Sequence, residues 1–383
     1  MLYRVIGLMS GSSLDGLDIV YTDLEENSGR WTYKIIHSIC YQYTAEWVMK
    51  LESAPSLNAV DYQLLHAEYG HFTGQQVNAF IEANDLQFKI QMIASHGHTV
   101  FHYPAKKMTA QLGDGASIAA ATGIHVISDL RAMDIALNGQ GAPIVPIGEK
   151  LLLPDFDLFL NLGGIANISA AITERDDSGS GSTNIPAAYH AFDVCPANTI
   201  MNILAREAGK EFDRNGEIAA TGKIKGELLQ ELNALQYYRN AYPKSLANDF
   251  GTAIVYPIIR QSFCETKDAL RTYVEHICIQ IKNAIELIRS HSGFRPAASS
   301  MSKLLVTGGG AHNSFLIRRL EELLQPLSVE LVVPAPELID YKEALIMALI
   351  GVLRWREENN VLSSVTGATR DSIGGSIWMG QEG

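Results

Sequence analysis

Alternating apolar and polar positions open the chain. Leu2–Ile6, Asp18–Tyr21 and Tyr33–Tyr43 read as three antiparallel strands. Apolar residues then recur at helical spacing over Ala45–Ser53 and Ala59–Ala83. Met92–Ser95 is a short apolar strand running into a polar loop, Ser95–Pro104. Gly115–Thr122 is helical and Ile124–Ser128 is a strand. A second series begins with a hairpin, Phe156–Asn161 and Ile165–Ala171, around a Gly-Gly turn. The Ser-, Gly- and Asp-rich stretch Asp176–Pro186 is a loop on it. Helices follow at Asn198–Ala208, Thr252–Phe263 and Thr266–Ser290, and Pro296–Ser302 reads as a linker. Strand Lys303–Thr307 runs into Gly308–Gly310, a helix starts near Ser314, and a last one spans Lys342 to about Glu357.

A strand, glycine turn, strand unit therefore occurs twice, near residue 7 and near residue 163, each time ahead of further strands and helices. The duplication predicts two related α/β domains facing each other across a cleft. The expected division is 1–135 plus 366–383 for the first and 136–365 for the second, with Gly139–Pro143 as a hinge or turn between them.

Composition sharpens this only at the margins. At 383 residues, two domains are the default. Hydrophobic content of 47% with 19% charged residues is that of an ordinary globular protein. With no leader pattern, no bilayer-length apolar run and four cysteines without paired spacing, a cytoplasmic protein with reduced thiols is expected. The net charge of −12 and the lack of a Lys/Arg block argue against a nucleic-acid partner. An anionic ligand would need local attraction from backbone N–H groups, a metal or single arginines.

Several polar segments interrupt the apolar pattern. Gly7–Asp18 (GLMSGSSLDGLD) places glycines, serines and two acids in one turn. Glycine lets a phosphate chain approach the backbone, the serines add donors, and Asp15 or Asp18 would suit a Mg²⁺ accompanying the phosphates. A tight hairpin with solvated serines is the plain alternative. NLGGIANIS at Asn161–Ser169 is a second phosphate-type turn. VTGGGAHN at Val306–Asn313 could lay an adenine or ribose against backbone, or simply join a strand to a helix. His96, His98 and His102 lie in SHGHTVFHYP; a ligand-lining loop fits them better than a zinc site, since no partner completes a ligand set. Arg131, in SDLRAMD, could grip a carboxylate or phosphate, or pair with Asp129 or Asp134. Asp193, in AFDVCPAN, lies just before a helix, where a carboxylate stays ionised and can act as a base on water; it could also be the N-cap. Cys195 lacks a histidine partner in the sequence and is not read as a nucleophile. Asp340 and Glu343 fit a capping box before the last helix.

Together with QLGDGASIA, GQGAP, DYKEA and VTGATR, these motifs resemble the anhydro-N-acetylmuramic acid kinase family in order, from Gly7 to about Gly375. The resemblance implies an actin/hexokinase-like kinase fold of two ribonuclease-H-like domains. It implies an enzyme of cell-wall recycling that uses ATP and Mg²⁺ to open 1,6-anhydro-N-acetylmuramic acid with water and phosphorylate O6. Asp193 would be the base. ATP would be held by Gly11, Ser12, Ser13, Leu14, Asp15, Gly16, Leu17 and Asp18, by Gly163 and Gly164, and by Gly308, Gly309, Gly310 and Asn313. The sugar would meet His96, His98, Thr99, Arg131, Asn198 and Glu343. A homodimer is also implied.

The chain departs from the family at Ser12 (usually Thr), at His98 (usually Gln), and at Val194, Cys195 and Ala197 (usually Thr-Gly and Gly). Another sugar kinase of the same superfamily, a non-catalytic sugar or nucleotide sensor, and a metal-dependent hydrolase are the alternatives.

Overall fold

A computed structural model of the chain describes residues 1–11, 13–172, 188–240, 244–247, 249–290, 294 and 301–381. Ser12, the expected loop 176–186 and most of the expected linker 296–302 lie outside the described residues. The chain divides into two units, Met1–Pro154 with Tyr341–Gly383, and Asp155–Asp340.

In the first unit, β1 (Leu2–Ser10), β2 (Gly16–Asn27) and β3 (Arg30–Gln42) form an antiparallel meander. β4 (Met92–Tyr103) runs parallel to β1, β5 (Met108–Leu112) folds back on β4, and β6 (His125–Ser128) lies parallel to β4. The C-terminal strand Ser376–Trp378 closes the far edge, giving the order C-terminal strand, β6, β4, β1, β2, β3. Fully buried Ile6, Leu8, Ile19, Ile93 and Val126 supply the sheet's core face, and Tyr69, Val77 and Phe80 from the helix Ala59–Ala83 pack on it.

The expected loop Ser95–Pro104 is instead mostly strand. β4 absorbs its polar run through two irregularities, one against β1 between Leu8 and Ser10 and one against β5 between Thr99 and Phe101. Such bulges re-aim side chains without ending the ladder. Gly97, at φ 72°, sits at the first of them.

Residues 136–154 and 341–365 belong to this first unit, so the expected hinge at Gly139–Pro143 lies inside it. There Asp134 organises a turn: its carboxylate accepts from the Gly141 N–H at 2.7 Å and from the Thr366 hydroxyl at 2.6 Å. The last long helix starts at Pro336, a turn earlier than the proposed capping box, because proline is well suited to the first helical position. Asp340 therefore lies within the helix and pairs with His312 at 2.7 Å.

In the second unit, β7 (Leu158–Leu162), β8 (Ile165–Ile172) and β9 (Ala188–Pro196) form a meander, with β10 (Ser302–Thr307) and β11 (Val329–Val332) parallel to β7. The order is β11, β10, β7, β8, β9. Both sheets thus share the ribonuclease-H-like order that the family resemblance implied: three antiparallel strands, then parallel ones beside the first. The helix Thr266–Ser290 buries Tyr273, Ile277, Ile281 and Ile285, four residues apart, so one stripe faces the core. The expected helix 252–263 begins with a π-helical turn, Gly251–Val255, before Tyr256–Gln261. Pro257 has no N–H to continue a regular ladder there. Among the described residues no helix is long and apolar enough to cross a membrane.

Candidate active site

In the first unit the loop between β1 and β2 shrinks to 11–15. Leu14 sits at φ 58° and its N–H reaches the Gly11 carbonyl at 3.4 Å. Ser13 and Asp15 are exposed and Asp18 is half-buried. Leu17 belongs to the core. Gly16 is explained by packing, since a Cβ there would meet Cys40 Sγ at 2.7 Å. Gly11 is different: the nearest atom to a Cβ would be Ser13 Oγ at 3.5 Å, an ordinary contact. The protein's own packing does not require glycine at 11, so the missing side chain leaves room for a ligand against backbone.

Beneath this loop runs a polar chain that sequence reasoning missed. Ser10 Oγ lies 2.7 Å from Tyr43 Oη and 3.0 Å from His98 Nδ1, and Tyr43 Oη hydrogen-bonds Tyr69 Oη. Burial lowers His98 to about 4, so its ring is neutral near pH 7. The geometry ties His98 to the base of the first glycine loop.

His96 and Arg131 form a second pair. His96 Nδ1 is 2.8 Å from the Gly97 carbonyl, which can only accept, so this nitrogen carries the proton. Nε2 then accepts from Arg131 Nε at 2.9 Å. Burial, reinforced by the adjacent guanidinium, lowers His96 to about 3. With both ring nitrogens engaged, His96 is poorly placed as a metal ligand. Burial also lowers Arg131 to about 10, opposed by Glu343. Of the two acids first considered as its partners, Asp129 accepts from Ser128 and Asp134 from Gly141 and Thr366.

Glu343 keeps some exposed surface, yet its surroundings raise its carboxyl through burial, against the pull of Lys342 and Arg131. Lys342 is itself paired with buried Glu149 at 2.8 Å. The first unit therefore brings His96, Arg131 and Glu343 into one electrostatic cluster. Thr99 lies further along β4, opposite Gln111.

The second unit builds its turns from backbone. The Gly163 carbonyl accepts from Asn198 N–H at 3.1 Å, and that of Gly164 from Ala197 at 2.7 Å and Thr199 at 3.3 Å. The start of the helix Asn198–Glu207 is thus locked onto the hairpin. Asn198 Nδ2 also donates to the Leu162 carbonyl at 2.9 Å. A Cβ on Gly310 would meet Leu162 Cβ at 2.7 Å, and Gly308, at φ 80°, lies against Asn161 and Leu162. Gly163 and Gly309, in contrast, would meet nothing nearer than 3.5 and 3.6 Å. Like Gly11, they leave open backbone. Asn313 caps the helix Ser314–Leu324, accepting from Leu316 N–H at 3.1 Å.

Asp193 lies on β9 beside a bulge: Ala166 pairs with Cys195 but Asn167 with Asp193, leaving Val194 as the extra residue. Its Oδ2 accepts from Leu246 N–H at 2.9 Å. It does not cap the following helix, whose first residue is preceded by Ala197 without a side-chain cap. Burial raises the Asp193 carboxyl above its ordinary value, with the Leu246 N–H opposing. Burial thus works against the helix N-terminus, which favours the ionised form. Val194, Cys195 and Ala197, the departures noted above, are core residues, and burial pushes the Cys195 thiol well up, away from nucleophilic use.

The model of the anhydro-N-acetylmuramic acid kinase family matches residues 3–380. A relative from Sulfurovum sp. (strain NBC37-1), an anhydro-N-acetylmuramic acid kinase, is 31% identical over 389 residues, covering 98% of this chain and 99% of its own. A relative of the same name from Francisella tularensis subsp. novicida (strain U112) is 32% identical over 387 residues, covering 97% of each. Among solved structures, the Acidaminococcus fermentans (R)-2-hydroxyglutaryl-CoA dehydratase component A is similar at TM-score 0.45 and 12% identity, over 91% of this chain and 96% of that one. Schistosoma mansoni hexokinase complexed with glucose is similar at TM-score 0.38 and 11% identity, over 91% of this chain and 85% of that one.

Proposed function

The chain belongs to the anhydro-N-acetylmuramic acid kinase family, and from that premise we propose that it opens 1,6-anhydro-N-acetylmuramic acid with water and phosphorylates O6 from ATP. Asp193 carries the proposal. It is a half-buried carboxylate on a bulged strand, held by one backbone N–H and not spent on capping a helix. In this role it takes a proton from water as the water oxygen attacks C1. The C1–O6 bond breaks, and O6 takes the γ-phosphoryl group as ADP leaves. General-base help of this kind is worth about 10²–10⁴-fold.

Arg131, its Nε engaged by His96, presents its terminal N–H groups to the lactyl carboxylate or a phosphate oxygen. For a nucleotide the first unit offers open backbone at Gly11, and the second unit offers it at Gly163 and Gly309, with Gly308, Gly310 and Asn313 shaping the adenosine turn. Asp15 and Asp18 offer the hard oxygen donors Mg²⁺ takes alongside phosphates, where it would offset charge on the transferring group. We extend the proposal, on family grounds, to a homodimer acting in the cytoplasm in peptidoglycan recycling. Incubation with ATP, Mg²⁺ and either the anhydro-sugar or plain hexoses tests it. N-acetylmuramic acid 6-phosphate, seen by mass spectrometry with the anhydro-sugar alone, is the expected result; phosphorylation of plain hexoses instead would favour another sugar kinase.

A further inference from the structure

We propose that Tyr237 is a positioning residue for Asp193; the proposal rests on the base role given to Asp193 above. Among the described residues β9 is the edge strand of its sheet, with no strand beside its outward main-chain groups. At Asp193, Tyr237 and residues 244–246 take them over. The Tyr237 hydroxyl donates to the Asp193 carbonyl at 2.6 Å, and Asp193 N–H donates to the Lys244 carbonyl at 3.3 Å. Two residues after Lys244, the Leu246 N–H holds Oδ2 at 2.9 Å. Backbone and carboxylate of one residue are therefore fixed from one side, next to the bulge at Val194 that interrupts the regular ladder.

The Tyr237 ring is itself located by packing. Its centroid lies 5.5 Å from that of Phe250 and 5.7 Å from that of Tyr238, and Lys244 Nζ sits 4.8 Å above it. Removing the hydroxyl alone should leave the ring in place and release the Asp193 carbonyl. Residue 193 could then drift, and a displacement of about 1 Å in a reacting group can cost a large rate factor. Among the described residues, Tyr237 and Lys244 meet Asp193 directly, Tyr238 packs on Tyr237, and Cys195 lies two residues along β9. Burial holds both phenols and the thiol above their ordinary ranges and Lys244 below its own, so none of the three acids gains charge across the acid limb.

The test is Tyr237→Phe in the full-length protein. The expected result is a fall in kcat of roughly 5–50-fold with KM for the anhydro-sugar within about twofold. The acid limb of kcat should move to lower pH, because a looser carboxylate is better hydrated. Unchanged thermal melting and ATP affinity would show that the variant is folded. Wild-type kcat with an unmoved acid limb would overturn the proposal, as would a joint loss of kcat, KM and melting temperature, which marks a merely structural role. A wild-type protein without turnover would instead overturn the functional premise. The Asp193 carboxyl titration by ¹³C NMR, compared between wild type and variant, would then still decide whether Tyr237 sets its environment.

Discussion

The two glycine hairpins occupy equivalent places in two sheets of the same order, yet they are held in different ways. The first rests on side chains: Ser10, Tyr43, Tyr69 and His98 link up beneath it, while its tip keeps Ser13 and Asp15 exposed. The second is fastened by backbone, with the Gly163 and Gly164 carbonyls capping a helix and Gly308 and Gly310 seated on Leu162. The two sheets share a topology and differ in chemistry. The first unit gathers groups with shifted titration, buried His96 and His98 and half-buried Arg131 and Glu343, suited to recognising charge. The second offers, at its hairpin and on β9, fixed main chain and the raised carboxylate of Asp193, suited to chemistry on water.

Asp193→Asn should break the contrast most sharply. The amide can still accept from Leu246, so folding and ATP binding stay near wild type while kcat falls by about 10²–10⁴-fold in steady-state assays. Substantial residual turnover would take the base out of the second unit. Arg131→Lys keeps the charge but loses the planar fork held by His96. It should raise KM for the anhydro-sugar by roughly tenfold, about 1.4 kcal/mol, with a smaller change in kcat; an unchanged KM would move recognition away from the first unit.

The glycines give a paired test. Gly308→Ala forces a side chain into a φ of 80° against Asn161 and Leu162, so the melting temperature should drop by several degrees, for a cost of about 1–3 kcal/mol. Gly163→Ala meets no protein atom closer than 3.5 Å and should leave melting unchanged while raising KM for ATP several-fold. Equal effects of the two on melting would erase the distinction between packed and open glycines.

A further prediction concerns pH. His96 and His98 are held in the folded state near 3 and 4, below the unfolded value of about 6.5. A depressed value means that unfolding takes up protons once pH drops below about 6.5. Their stabilising contribution is therefore full above that pH and is lost progressively as pH falls towards 4 and then 3. Melting temperatures measured from pH 7 to 4.5 should decline, and less steeply in His98→Gln. A flat profile would mean that the first hairpin's support does not depend on neutral imidazoles.

Much of the fold was legible because it rests on local pattern. Ala45–Ser53, Ala59–Ala83, Gly115–Thr122 and Thr266–Ser290 begin and end where spacing, caps and breakers place them. The polar run from Ser95 to Tyr103 misled because bulges, which have no composition of their own, keep it in the sheet. The capping box at Asp340 fitted the motif, but the helix had already begun at Pro336. At the candidate site, the glycines, Arg131 and Asp193 were visible as polar interruptions in apolar pattern. What holds them was not. Arg131 meets His96 and Asp193 meets Tyr237 and Leu246 only through folding, across 35, 44 and 53 residues of chain. The level of the Asp193 carboxyl likewise depends on burial that no local spacing encodes.

The central claim is that water opens the anhydro ring at C1 while O6 takes the phosphoryl group. It is tested most directly by turnover of 1,6-anhydro-N-acetylmuramic acid with ATP and Mg²⁺ in H₂¹⁸O, followed by fragment mass spectrometry of the product. The account predicts a 6-phosphate whose new oxygen is at C1 and whose O6 and phosphate carry no label. Label at O6 or in the transferred phosphate, or an absence of the 6-phosphate altogether, would contradict it.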